Sequence, residues 1–359
     1  LPIFLALLTL TLLFIAATEF ELNKEKHAKK LLGYVQGIES AAKTEKSVSE
    51  IVTPSSEIPE VMPEAIPVNE VTPPEKTPPK YIKFLFLGDI MMGRYVRTLM
   101  EKNKDLDYPF KKARDTTTPN KATNFLHGYF DRVIANLEGP IVPVPNRSQT
   151  GTTFGFAPDT AEIVKRNGID LVSIANNHTL DQGQKGLEST QKYLAETGLP
   201  FFGHPILPTE KDVRIETIYN KKFAFIGFHD ATRRLDDAAA RSLIEKIDPQ
   251  VDYTIIFIHW GPEYQKNPSK RQEQLAHLFI DAGADLVIGH HPHIPQTRET
   301  YKGVPIIYSL GNFIFDQYWS DMTQHGLTVE AVFSTDPSDA TIQLYEHPID
   351  LYKSQPVWK

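Results

Sequence analysis

An α/β fold follows from three features of the sequence. Short β-branched and aromatic runs alternate with helical stretches from residue 81 to about 351. Glycines stand where three of the helical stretches should stop. Five of the apolar runs end in Asp, Glu, Asn or His, and the carboxyl edge of such a sheet is where ligands bind.

The apolar runs expected to be strands are 82–87, 132–135, 171–175, 223–227, 253–258, 286–288 and 306–308. Helices are expected over 158–167, 183–197, 270–282 and part of 238–247, with Gly168, Gly198 and Gly283 closing the first three. No internal repeat is evident.

The segments before this domain read differently. Residues 1–18 are apolar and uncharged, near the roughly 17–25 residues that cross a bilayer and longer than a signal-peptide core of about 7–15. They are expected to be a transmembrane signal anchor, with a cleaved signal peptide as the alternative. Residues 19–45 form a polar juxtamembrane segment. Residues 46–80 hold eight prolines among Glu, Val, Thr and Ser, the composition of a disordered spacer reaching on the order of 100 Å in polyproline II. This order predicts a single-pass protein of the cell membrane whose globular domain, 81–351, stands outside the cytoplasm, followed by a tail over 352–359.

Composition removes several classes of function. The 38 basic and 45 acidic residues give a net charge of −7, so there is no basic excess to imply a nucleic-acid partner. No cysteine is present among the 359 residues, which excludes disulfides, zinc–thiolate sites and thiol catalysis.

The strand ends carry the chemistry. The runs lead into Gly88-Asp89, Asn136-Leu137-Glu138-Gly139, Asn176-Asn177-His178, His259-Trp260-Gly261 and Gly289-His290-His291-Pro292-His293. Each alone is ambiguous: Gly-Asp can be a turn, Asn-Asn can shape one, and one histidine at a strand end can be structural. Three imidazoles in four residues are costly without a ligand, and five coincidences of one kind point to a metal centre. Oxygen and imidazole donors without thiolate suit Mn²⁺, Fe, Zn²⁺ or Mg²⁺. Two such ions would clamp a phosphoryl displacement, and an uncoordinated histidine beside them could protonate the leaving group.

These motifs resemble the bacterial CapA/PgsA proteins of poly-γ-glutamate capsule synthesis. The resemblance rests on Gly88-Asp89-Ile90-Met91-Met92-Gly93, Asn136-Leu137-Glu138-Gly139-Pro140, Ala175-Asn176-Asn177-His178, Asp181-Gln182-Gly183, His259-Trp260-Gly261-Pro262-Glu263-Tyr264, Gly289-His290-His291-Pro292-His293 and Tyr308-Ser309-Leu310-Gly311-Asn312-Phe313. It implies a metallophosphoesterase-like sandwich layered α/β/β/α. It also implies Asp89, Glu138, Asn177, His259, His291 and His293 as ligands of one or two divalent ions, Glu138 bridging, and His178 stabilising the transition state. His290 is an alternative ligand. Met91 stands where metallophosphoesterases usually place a histidine, which leaves the count at one ion or two.

Further candidates are Trp260 and Tyr264 as cleft walls, or as packing residues. Arg94 could contact an anionic substrate bidentately or be a surface residue. Asn176, Asn312 and Asp316 are candidates to support the site or to replace a ligand. The functional expectation is an extracytoplasmic capsule synthesis or export protein with a phosphoesterase-like site. Its partners would be an anionic envelope polymer or precursor, other capsule-synthesis membrane proteins and the membrane itself. A noncatalytic metal-binding scaffold for the nascent polymer and a general envelope-polymer hydrolase are the alternatives.

Overall fold

The computed structural model describes residues 79–114, 129–146, 148, 151–336 and 338–359. The expected anchor, juxtamembrane segment and nearly all of the spacer lie outside the described residues, among which no helix is long and apolar enough to cross a membrane.

Two mixed sheets form the body. The first has the order β14-β13-β12-β1-β2-β3-β4, with β11 paired to β1. Its strands are β1 (Tyr81–Ile90), β2 (Arg132–Leu137), β3 (Leu171–Ser173), β4 (Phe201–Phe202), β11 (Asn312–Ile314), β12 (His325–Ser334), β13 (Ile342–Tyr352) and β14 (Gln355–Trp358). The second runs β5-β6-β7-β8-β10-β9, from β5 (Arg214–Ile218), β6 (Lys221–Asp230), β7 (Tyr253–Trp260), β8 (Leu286–His290), β9 (Arg298–Tyr301) and β10 (Val304–Ile307). The central strands β1–β4 and β6–β8 are parallel, as expected where crossovers pass through helices.

All seven expected strands are present. Helices α3 (Gly183–Thr197) and α5 (Lys270–Ala282) have the expected bounds. The Ser269 hydroxyl and Gln272 form a capping box at the start of α5, and Gly198 ends α3 in the left-handed region. The helices α2 (Thr160–Arg166) and α4 (Asp237–Ile247) fall within or beside their expected spans.

Two features differ from the expectation. Helix α1 (Arg94–Lys102) buries Val96, Leu99 and Met100, yet Gly93 before it offers no side-chain cap. The Asp316 carboxylate instead accepts the Tyr95 N–H at 2.9 Å, 221 residues away in sequence. The expected tail is also partly sheet: Gln355–Trp358 runs antiparallel to β13, and the Trp358 indole donates to the Ala113 carbonyl at 3.3 Å.

Three apolar cores hold the layers. Phe84 and Phe86 of β1, Phe223 and Phe225 of β6, Phe257 of β7 and Phe333 of β12 meet in a core drawn from both sheets. Each such ring contributes about 1.5–3 kcal/mol by burial. Strand β1 also presents Leu85 and Leu87 to a core shared with α1, α2 and α3, while β6 and β7 present Ile226, Phe228, Ile256 and Ile258 to one shared with α4 and α5. The period-two alternation of β1 is therefore apolar on both faces, with helices over one and strands over the other.

Register brings the polar strand ends level. In the first sheet Asp89 stands beside Asn136 of β2 and Asn312 of β11. In the second, His259 stands beside His229 of β6 and His290 of β8. The segment 308–312 passes so close to both sheets that a Cβ on Gly88 would lie 2.1 Å from the Gly311 carbonyl oxygen, and one on Gly289 2.0 Å from that of Tyr308.

Candidate metal centre

Asp89 and Glu138 are both fully buried. Asp89 is well supplied with donors. Its Oδ1 accepts Asn136 Nδ2 at 2.8 Å and His290 Nδ1 at 3.1 Å; its Oδ2 accepts the His291 N–H at 3.3 Å and lies 3.5 Å from His293 Nδ1. Burial alone would raise its pKa, but the His290 and His293 contacts hold it well below the carboxylate range.

Glu138 has the opposite surroundings. Neither carboxylate oxygen has a hydrogen-bond partner, although Oε1 lies 3.7 Å from His178 Nε2, 3.9 Å from His259 Nε2 and 3.7 Å from His293 Nε2. Burial, then the Asp89 charge, pushes its pKa well above the usual value. A buried carboxylate without a donor is expensive, and three imidazole nitrogens face it without supplying one.

The imidazoles repeat this crowding of acceptors. His259 Nε2 faces Asn177 Oδ1 at 2.9 Å and His291 Nδ1 at 3.1 Å. One hydrogen on Nε2 can serve only one of those partners. Burial, then the neighbouring His291, holds His259 well below its ordinary pKa, and burial, then His293, brings His291 down to about 3. Neutral imidazoles, amide oxygens and carboxylates turned toward one another form the donor set of a hard or borderline divalent cation. The residues present fit such an ion, which would draw together lone pairs that no proton now joins.

Neighbouring residues fix the orientation of the donors. Asn312 Oδ1 takes His293 Nδ1 at 3.0 Å, turning Nε2 toward Glu138, and Asn312 is itself held by Gln317 Oε1 and the Thr323 carbonyl. Asp181 Oδ2 meets His178 Nδ1 at 2.8 Å. The carboxylate accepts, so Nδ1 carries the hydrogen and Nε2 faces Glu138. The His178 ring stacks on Phe154 at 3.9 Å. His291 and His293 hold left-handed backbone, at φ 94° and 59°, a strain of about 1–3 kcal/mol each that is characteristic of functional sites.

The other expected residues are placed as follows. Asn176 shapes its turn: its Oδ1 accepts the His178 and Thr179 N–H groups, and its Nδ2 donates to Asn136 and the Leu137 carbonyl. His290 serves Asp89 through Nδ1, and its Nε2 is buried without a partner. Trp260, expected as a possible cleft wall, is completely buried on the opposite side of β7 from His259. It packs with Phe279 and Tyr308 and donates to the Tyr308 carbonyl at 2.9 Å. Successive strand residues face opposite ways, so the pair could not share one cleft.

Tyr264 does lie at the mouth, stacked on His293 at 6.1 Å and edge-on to the exposed Trp319 at 4.8 Å. Arg94 and Asp316 pair with each other; the guanidinium also sits over the Phe154 ring at 4.9 Å. Met91 is a core residue whose thioether accepts the Gly93 N–H.

Comparison with known proteins decides the family. The profile described as "Bacterial capsule synthesis protein PGA_cap" matches residues 83–317, the span that carries every strand-end motif. The chain belongs to the PGA_cap family. It is 28% identical over 288 residues to the PGA biosynthesis protein CapA of Bacillus subtilis, covering 76% of this chain and 72% of that one. It is 32% identical over 256 residues to the capsule biosynthesis protein CapA of Bacillus anthracis, covering 65% of this chain and 60% of that one. A crystal structure of a hypothetical protein from Thermus thermophilus overlays with a TM-score of 0.44 at 18% identity, over 74% of this chain and 99% of that one. That overlay is too loose to assign a fold.

Within this PGA_cap chain, three site residues were not singled out by the sequence reading. Asn136 links Asp89 to Asn176, Asp181 orients His178, and Glu263 forms with His291 and His293 one of the two groups, among the described residues, whose donor atoms lie within 4.8 Å of one another. All three stand in quoted motifs, but only their neighbours were given a role. The other group is Asp89, Glu138 and His259.

Proposed function

We propose that this PGA_cap protein acts in synthesis or export of an anionic capsule polymer of the poly-γ-glutamate type, through a divalent-cation centre of the metallophosphoesterase kind. The observation that carries the chemistry is Glu138, buried, without a donor, and ringed by three imidazoles at 3.7–3.9 Å. The biological role is supported by family membership and by the capsule and PGA biosynthesis functions of the two Bacillus relatives. The apolar stretch 1–18 and the spacer 46–80 support a single-pass protein working outside the cytoplasm, beside other membrane proteins of the same pathway.

Asp89, Glu138, Asn177, His259, His291 and His293 would hold the cation. A divalent cation there supplies Lewis acidity and a source of hydroxide near neutral pH. The chain's own residues do the rest. His178 gives or takes a proton at Nε2, with its Nδ1 held by the Asp181 carboxylate. Phe154 and Phe315 shield that side from water, and Tyr264 and Trp319 border the open side. Phosphoester cleavage or transfer on the polymer or its precursor is the reaction this arrangement suits.

One observation favours a noncatalytic alternative, in which the ion binds polymer carboxylates directly. Arg94, which follows the first motif, is paired with Asp316, and a cation at the centre would then be the anion receptor. The test is turnover of a generic phosphodiester by the full chain with Mn²⁺, beside polymer production by His178→Ala in cells. Turnover lost with His178, together with lost polymer, supports the enzyme. Undetectable turnover with undiminished polymer production by the variant supports the scaffold.

A further inference from the structure

We infer, on the capsule-polymer reading above, that a strip of exposed rings running from Tyr264 and Trp319 to Tyr352, and ended by Lys112 and Lys353, holds the polyanionic chain as it reaches the mouth of the candidate centre. The polymer it fits carries carboxylates separated by short methylene segments.

The strip is continuous. At the mouth the Trp319 ring, 66% exposed, stands edge-on to Tyr264 at 4.8 Å. Its chain neighbour Tyr318 is edge-on to Tyr95 of α1 at 5.8 Å, and the Tyr318 hydroxyl is hydrogen-bonded to that of Ser354. Ser354 lies in the turn between β13 and β14, beside Tyr352, which is 55% exposed. The ammonium groups of Lys112 and Lys353 lie over the Tyr352 ring at 4.9 and 5.4 Å. Tyr108 fills the space between: burial raises its pKa, and the groups that act on it next are Lys353, Tyr352, Tyr95 and Lys111.

Exposed rings can be incidental, but the segments that carry these are pinned. Gln317, buried, accepts the Asn312 amide at 2.9 Å and donates to the Tyr264 hydroxyl at 3.3 Å, so the residue that orients His293 also anchors the start of the strip. The Gln317 carbonyl accepts from Thr323 and from Gln324. At the other end the two-residue turn is Lys353-Ser354, at φ 50° and 62°, where Asn-Gly is the favoured pair. Buried Ser354 is committed to Tyr318, and Lys353 is left at the exposed tip.

The chemistry selects the occupant. Arg94 is paired with Asp316 and Lys111 with Asp105, whereas among the described residues no ion pair takes up Lys112 or Lys353. Their positive charge is available to carboxylates, and the ring faces are available to methylene groups. Contiguous exposed aromatic surface marks a recognition site. One exposed ion pair is weak, but a polymer that meets several contacts on one chain gains by effective concentration. A chain can also lie along the strip with one end at the mouth, which a bilayer surface cannot.

The test is binding of fluorescently labelled poly-γ-glutamate to the full chain in EDTA, read by fluorescence anisotropy at low and high salt. Lys112→Gln combined with Lys353→Gln should weaken binding roughly five- to tenfold at low salt and flatten its salt dependence. Trp319→Ala should weaken it by about fivefold at either salt concentration. Lys211→Gln combined with Lys246→Gln, the same charge change on the second-sheet side, should leave it unaltered. Circular dichroism should show all variants folded. Equal weakening by both lysine pairs, or by neither, overturns the strip while the polymer reading stands. Binding seen only with Mn²⁺ and unmoved by the variants overturns it in favour of the cation as receptor. Phosphatidylglycerol vesicles held in place of the polymer, and released by the Lys112 and Lys353 substitutions, assign the strip to a membrane surface instead. A wild type that binds no polymer with or without Mn²⁺ overturns the strip and the polymer reading together.

Discussion

Replacing Glu138 by glutamine should move stability in opposite directions with and without a cation. In the cation-free protein Glu138 is fully buried and neither oxygen receives a hydrogen bond. Its carboxylate is held up by burial and by Asp89. Glutamine keeps the shape, removes the charge and brings an NH₂ that can donate to the waiting imidazole nitrogens. Relief of an unpaired buried polar group is worth about 1–3 kcal/mol. At roughly 2–4 °C per kcal/mol for a domain of this size, the Tm of EDTA-treated protein should rise by about 2–12 °C. A cation at one hundred times its dissociation constant stabilises the wild type by about 2.7 kcal/mol, and the variant should lose most of that response. The assay is scanning calorimetry of both proteins in EDTA and in saturating Mn²⁺. A variant that is less stable in EDTA yet keeps the full Mn²⁺ shift would refute the reasoning, because Glu138 would then be satisfied by something other than an ion.

Three other outcomes follow from the same geometry. In the Glu138→Gln background, cation-free protein should lose stability as pH falls from 6.5 toward 5. His291 titrates at about 3 when folded against 6.5 when unfolded, so the unfolded chain binds the proton first. At about 1.4 kcal/mol per unit the loss from His291 alone is about 2 kcal/mol, and His229 and His259 shift in the same direction; denaturant melts at pH 7 and 5 test this. Glu138 itself acts in the opposite sense, which is why it is removed first. Asp181→Asn should lower phosphodiester turnover by roughly 10²-fold and shift its pH profile while leaving Mn²⁺ content unchanged; a fall in bound Mn²⁺ would make Asp181 a support of the ion instead. Trp260→Ala should cost about 3–5 kcal/mol of stability in melts with or without Mn²⁺, whereas Trp319→Ala at the exposed mouth should leave stability within about 0.5 kcal/mol.

That the candidate ligands gather at one edge was legible because each stands at or just after the end of a strand whose apolar run is unmistakable, and parallel strands deliver their carboxyl ends to one edge. The bounds of α5 were legible for a local reason, a Ser269 cap and a Gly283 stop. What escaped was set by distant contacts. The start of α1 is held by Asp316, more than two hundred residues on. Glu263 looks like a solvated turn residue until Tyr264 and Gln296 are seen to brace its loop against the histidines. Of the two readings of Trp260, strand alternation alone selects packing, since it turns the ring away from His259.

The placement of His178 bears on whether this centre does more than hold an ion. A seat for binding alone needs donors, and two carboxylates, Asn177 and three imidazoles would supply them. His178 has a carboxylate of its own at Nδ1, an aromatic ring stacked along one face and its Nε2 directed at the same Glu138 oxygen that the ligands face. Asp181 is doubly engaged, since the same Oδ2 accepts the Phe154 N–H at 2.6 Å and so couples the carboxylate to the ring on which His178 rests. This arrangement holds Nε2 of His178 in a fixed direction, with Nδ1 committed to Asp181. A nitrogen so fixed is what the proposed phosphoester chemistry requires, where a proton must reach an oxygen as a bond to it breaks, and loss of turnover in His178→Ala with Mn²⁺ content unchanged would separate that role from a part in holding an ion.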